Sequence, residues 1–217
     1  MRVISKEKLD EVLDGMQIKD IAHATIRQCV NAAQELERIS GENFVHLEFG
    51  VPGIKASQFG VDMQKLALDA GIASVYPPTA GIPEFKWNAS AFIKAFVGID
   101  MYPECVIPTV GSMQGCFNLL LECSQLHEGR KAVIYLSPGF PSHFLQAKIL
   151  GLDARTLDIY DNRGDKLGPA LEELMADGKV CAMVYSNPNN PAWVNLTEDE
   201  LKTIGTLCTK YDVIALE

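Results

Sequence analysis

A chain of 217 residues with 47% hydrophobic side chains can bury a sizeable core, and its length suits one domain or one and a half. The formal charge of −9 and a sequence pI near 5.0 work against a nucleic-acid surface or an anionic membrane as partner, because both repel an acidic protein at long range. A small-molecule partner fits that charge better.

The opening MRVISKEKLDEVLDGM carries charges every few residues and no apolar core of signal-peptide length. No run approaches the ~18 apolar residues of a membrane span, so a cytoplasmic protein is expected. Residues 5–39 read as mostly helical, with Ile21, Ala24, Thr25, Gln28, Ala32 and Leu36 spaced for one helix face. Residues 1–50 are therefore expected to form a helical N-terminal arm or part of a small domain, and residues 51–217 the main domain. A glycine and proline cluster, EFGVPGI, precedes a short helix over 62–70. Next come a rigid loop, YPPTAGIPEF, and a helix with Phe85, Ala89, Phe92 and Phe96 on one side and Lys86, Asn88, Ser90 and Lys94 on the other.

From Cys105 onward, short β-rich runs alternate with helices: CVIPTV, a helix over 114–126, AVIYLS, a helix over 142–150, TLDI, a helix over 169–177, VCAMVY, a helix over 198–210, and VIAL. Such alternation implies an α/β fold, a parallel-rich sheet covered by helices on both faces. In open parallel sheets ligands bind beyond the carboxyl ends of the strands, which directs attention to GSMQG, SPGFPSH and SNPNNPAW.

Each of these segments carries chemistry. Gly111 permits a tight turn from strand into helix, and the amides of Ser112, Met113 and Gln114 would then point out of a helix N-terminus, a ready site for phosphate. A plain strand-to-helix turn explains the same residues, and neither a Walker pattern nor a GxGxxG is present. Phe140, between Gly139 and Pro141, is either a loop residue folded back onto helices or a flat platform for a planar ring. Asn187 and Asn190 each precede a proline, which holds their side chains in defined directions, and an amide donates to an oxyanion without changing its charge. The run Thr197-Glu198-Asp199-Glu200 reads as a capping box, so its acids are structural.

The six cysteines, Cys29, Cys105, Cys116, Cys123, Cys181 and Cys208, form no CxxC pair and mostly sit in apolar segments, as reduced thiols would. The sequons at Asn88 and Asn195 have no secretory context. His23, His46, His127 and His143 show no metal spacing, and no GxSxG elbow occurs.

Taken in order, the loops resemble the motif set of fold-type I aminotransferases, which use pyridoxal phosphate. YPPTAGIPEF is similar to their Tyr-x-Pro-x-x-Gly-x-Pro-Glu-Leu block, TVGSMQGCFNLL to their Gly-x-x-Gln phosphate turn, SPGFPSH to their Pro-Tyr-aromatic loop, and SNPNNPAW to their Asn-Pro-x-Asn-Pro-Thr-Gly block. The glycine of EFGVPGI is similar to that of their Gly-Glu-Pro segment. The likeness covers roughly residues 45–217, in the family's order. It implies that Gly111, Ser112 and Met113 hold the cofactor phosphate through backbone amides, that Phe140 stacks on the pyridine ring and that Asn190 hydrogen-bonds its 3'-oxygen. It further implies that Tyr76 reaches the phosphate of a neighbouring subunit in a homodimer and that Gly50 lies where the substrate α-carboxylate docks.

The expected activity is transfer of an amino group between an amino acid and a 2-oxo acid, within amino acid metabolism. A lyase or decarboxylase on the same cofactor, or a non-catalytic scaffold or effector domain, are the alternatives. The chain departs from the pattern at Val51, at Gly139-Phe140 and at Ala192-Trp193, all on the substrate side. Trp193 is expected to pack under the capped helix rather than line the pocket. The family's aspartate, tyrosine, Schiff-base lysine and arginines would lie beyond Glu217, and Glu217 is not assigned the aspartate's role. These residues thus look like the N-terminal part of an aminotransferase, cradling the cofactor without turning over alone.

Overall fold

The computed structural model describes residues 4–217, which fall into two compact units meeting at Tyr76 and Pro77. In the first unit, α1 (Lys6–Gly15) is capped by Ser5, and α2 (Ile26–Ser40) opens on a capping box in which Thr25 and Gln28 bond each other's backbone. Val12, Ile18, Ala32 and Leu36 form the buried contact of this helix pair. Between the helices, the expected continuous run is interrupted by a 3₁₀ turn at Ile21–His23 whose N-cap is Asp20. Further on, α3 spans Gln58–Asp69, so the short helix starts earlier than the expected residue 62.

The second unit holds the sheet. After α4 (Pro83–Val97), the run CVIPTV does not become a strand: Pro103–Cys105 is a 3₁₀ turn and the following residues are extended but unpaired. Four parallel strands, β1 (Ala132–Ser137), β2 (Asp153–Asp158), β3 (Val180–Val184) and β4 (Ile214–Leu216), lie in the order β2-β1-β3-β4. The helices between them are α5 (Gly111–Leu126) before β1, α6 (Pro141–Ile149), α7 (Leu167–Met175) and α8 (Glu198–Tyr211).

The period of two along β1 separates two cores. Ile134 and Leu136 join Leu171 and Met175 of α7 and Ile204 and Leu207 of α8 on one face. On the other, Val133 and Tyr135 meet Leu120 and Cys123 of α5 and Ala147 of α6. Helices therefore cover both faces, as the strand and helix alternation requires. The register between β1 and β3 shifts by one residue at Ala132/Val133, so Cys181 and Ala182 both face the α5 side.

The apolar stripe of α4 does form, since Phe92 and Phe96 stack with ring centroids 5.3 Å apart, but both rings are exposed and no residue of the helix is buried. No described helix is long and apolar enough to cross a membrane.

Candidate functional site

From β1 the chain passes to β2 on one side and then crosses over β1 to reach β3 on the other, which makes the carboxyl ends of β1 and β3 the switch point of the sheet. Three loop segments gather there. At the first, Gly111 opens α5 with φ of 75°, a left-handed conformation that suits glycine. The Val110 N–H is capped by the Gln114 side chain at 2.6 Å, and the Gly111 N–H donates to the Thr109 carbonyl at 2.9 Å. Ser112 and Met113 are left with N–H groups that no acceptor among the described residues takes.

The second segment leaves β1 at Ser137. A side chain at Gly139 would bring its Cβ within 2.7 Å of the Leu136 carbonyl oxygen, so the backbone can fold there only with glycine. Phe140 follows as the N-cap of α6, its ring edge-on to that of His143 at 5.5 Å.

The third segment leaves β3 and turns twice at prolines. Here Asn189 is buried and tied on both sides of its amide: its Nδ2 donates to the Pro138 carbonyl at 3.0 Å, and its Oδ1 accepts from the Ala192 N–H at 3.0 Å. The Asn187 Oδ1 accepts from the Leu196 N–H at 3.0 Å, whereas the exposed Asn190 is held through its own N–H, 3.0 Å from the Ser186 hydroxyl. Asn187 therefore shapes the loop, and the Asn190 side-chain amide has no partner among the described residues.

A cavity of about 480 Å³ lies at the carboxyl ends of β3 and β4, with Ser112 and Cys116 of α5, His143 of α6, and Tyr185, Ser186 and Glu217 in its wall. Burial pushes the Cys116 thiol up and the His143 imidazole down, so both are neutral near pH 7. Burial, and then the Glu217 carboxylate, push Tyr185 up. Beneath the wall, the Tyr135 hydroxyl donates to the His143 carbonyl at 3.0 Å.

Of the residues expected from sequence, Ser112 stands in the cavity wall, Gly111 and Met113 flank it in the same turn, and Phe140 and Asn190 sit on the two loops that Asn189 joins. Gly111 contributes the bend rather than a free donor, because Thr109 takes its N–H. Gly50 and Tyr76 lie in the first unit, both exposed. Asn189 escaped the sequence reading, although its place between two Asn-Pro pairs marks it as part of the same corner. Trp193 does not pack under α8: it is 85% exposed and holds a left-handed φ of 57°. Replacing Trp193 with glycine should raise stability by about 0.5–1 kcal/mol, read as a higher urea midpoint, because glycine adopts this φ without the Cβ penalty. A lower midpoint would show that the indole is held by contacts in solution.

Comparison with known proteins places these features. The profile of the family described as "Aminotransferase class I and II" matches residues 52–216. An aspartate aminotransferase of Pyrococcus horikoshii is 30% identical over 198 residues, which is 90% of this chain and 48% of that protein. An S-alkyl-thiohydroximate lyase of Arabidopsis thaliana is 26% identical over 149 residues, covering 69% of this chain and 32% of the lyase. Among solved structures, a double mutant of the Thermus thermophilus aspartate aminotransferase superposes with a TM-score of 0.74 at 25% identity, covering 99% of this chain and 52% of that one. The chain spans about half the length of the curated relatives it matches. A parallel sheet with helices on both faces, a free-amide helix turn at its switch point and a match over three-quarters of the sequence lead to one conclusion: the chain belongs to the class I and II aminotransferases.

Proposed function

We propose that the protein containing these residues moves an amino group between an amino acid and a 2-oxo acid with pyridoxal 5'-phosphate as cofactor. The carrying observation is the α5 turn, where Ser112 and Met113 present free N–H groups at the positive end of a 16-residue helix beside the cavity. Two unpaired donors and a helix dipole fit a phosphate dianion. The other parts fit as well. Phe140 offers an aromatic face at the neighbouring helix start, and the Asn190 amide is free to donate to a ring oxygen. Bound there, pyridoxal phosphate supplies an electron sink for the bond broken at the amino acid Cα.

The chain's own residues then divide the labour. Ser112 and Met113 anchor the phosphate, the bend at Gly111 aims their amides, Phe140 holds the ring plane, and Asn190 fixes its rotation. Gly50 receives the substrate carboxylate. Burial keeps the Cys116 thiol protonated, so no thiolate competes for an electrophilic carbonyl in the same cavity.

In this reading residues 1–50 form the arm or part of a small domain and residues 51–217 part of the cofactor domain; the separate α1/α2 core and a family match starting at residue 52 support that division, whereas the compact units divide later, at Tyr76 and Pro77. The working unit is a cytoplasmic homodimer in amino acid biosynthesis, with no nucleic-acid or membrane partner. A fully exposed Tyr76 and the uncovered Phe92 and Phe96 support a subunit contact, and the net charge of −9 works against a nucleic-acid or anionic-membrane partner.

The full-length protein should gain a visible absorption band on adding pyridoxal phosphate and should transfer amino groups to 2-oxoglutarate. A protein that stays colourless in excess cofactor would sink the reading. The similarity to the Arabidopsis lyase motivates a second one, elimination on the same cofactor, which predicts product release with no 2-oxo acid present.

A further inference from the structure

Gln146 is a polar side chain that the fold could do without. It lies on the inner side of α6, 7% exposed, next to Ala147, which is fully buried in the α5/α6 core. Its Nε2 donates to the Met113 carbonyl at 2.8 Å, while its Oε1 is buried with no partner among the described residues. A buried acceptor left empty is a net cost, and a methionine or leucine would fill the same space without it. The bond therefore exists at the expense of stability, a pattern found where function sets the geometry.

The location of the bond supplies the function. Met113 belongs to the first turn of α5, in which Ser112 lines the cavity, and Phe140 is the N-cap of α6. Gln146 thus joins the anion-binding turn to the helix that carries the aromatic platform. We propose that Gln146 is a positioning residue that sets the orientation of the Ser112–Met113 turn relative to Phe140, and so makes the site selective for a ligand bearing both a phosphate and a planar ring. This rests on the assignment of the α5 turn as the phosphate site.

Comparison of pyridoxal phosphate with pyridoxal, which lacks the phosphate, isolates the effect. In the full-length protein, Gln146→Met should reduce the preference for the phosphorylated ligand about tenfold, the worth of one well-placed hydrogen bond, while the thermal midpoint stays the same or rises. Gln146→Glu should reduce it further, because a carboxylate cannot donate to Met113 and adds a negative charge behind the anion site. Dissociation constants come from absorbance titration and midpoints from calorimetry. An unchanged ratio in both variants overturns the role of Gln146 while leaving the phosphate site standing. A drop of Gln146→Met by more than about 8 °C shows that Gln146 is a packing element and also overturns the role. A wild-type protein with no preference for the phosphorylated ligand overturns both.

Discussion

Replacing Glu200 with alanine is expected to destabilise the fold by about 3 kcal/mol, the cost of breaking a buried pair reduced by the water that still reaches the Arg163 side chain. Glu200 is 3% exposed and its carboxylate accepts four hydrogen bonds from three residues. Its Oε1 accepts from Arg163 Nε at 2.7 Å and from the Gly164 N–H at 2.8 Å, and its Oε2 from Arg163 Nη2 at 2.6 Å and from the Thr197 N–H at 2.8 Å. The Thr197 hydroxyl returns a bond from the Glu200 N–H at 3.2 Å, completing the capping box of α8. The loss would therefore free the start of α8 and the turn before α7 together.

The Arg163 guanidinium, followed by the Gly164 and Thr197 amides, holds the Glu200 carboxyl at about 2, well below its unfolded value of about 4.5. A depressed carboxylate contributes stability that is complete above the unfolded pKa and fades as pH falls through the folded one. The difference in urea stability between wild type and Glu200→Gln should thus be constant above pH 4.5 and shrink steadily toward pH 2. A difference that does not change with pH would assign the effect to packing alone.

Asn189→Leu carries the second large effect. The substitution keeps the bulk of the buried side chain but leaves the Pro138 carbonyl and the Ala192 N–H without their partners. Each unmet group costs about 1–3 kcal/mol, so a loss of about 3 kcal/mol in unfolding experiments is expected. The loop bearing Asn190 would also come loose from the loop bearing Phe140. Affinity for pyridoxal phosphate and for pyridoxal should fall by similar factors, since the ring contacts are shared by both ligands. A loss below 1 kcal/mol with unchanged affinities would show that water or another group replaces the amide.

The two amides differ in how far sequence reveals them. Asn189 stands inside a rigid proline corner, but its partner Pro138 is 51 residues away, and burial of one asparagine rather than its neighbours depends on that meeting. Gln146 appears in sequence as an ordinary residue in a short helical stretch, and only helix packing reveals the carbonyl it reaches. By contrast, the four strands, their helices and the Thr197 capping box follow from local pattern, because periodicity and capping act within a few residues. CVIPTV had the right composition for a strand and failed for a nonlocal reason. Pro108 has no N–H to give a ladder and sits so close to Gly81 that a Cβ there would meet it at 2.7 Å. A strand needs a neighbour as well as a propensity, and no described segment pairs with this one. The stripe on α4 has the same limit: spacing forms the helix, while burial awaits a surface.

The register shift at the start of β3 acts on the cavity from a distance. Along a strand, the facing of every later side chain follows from counting residues, odd or even, from the first. One uncounted residue beside Ala132 reverses that parity, so Val184 faces α5 and the cavity rather than α7 and α8. What lines the pocket at one end of the strand is thus decided by how many residues, and not only which ones, are threaded in at the other.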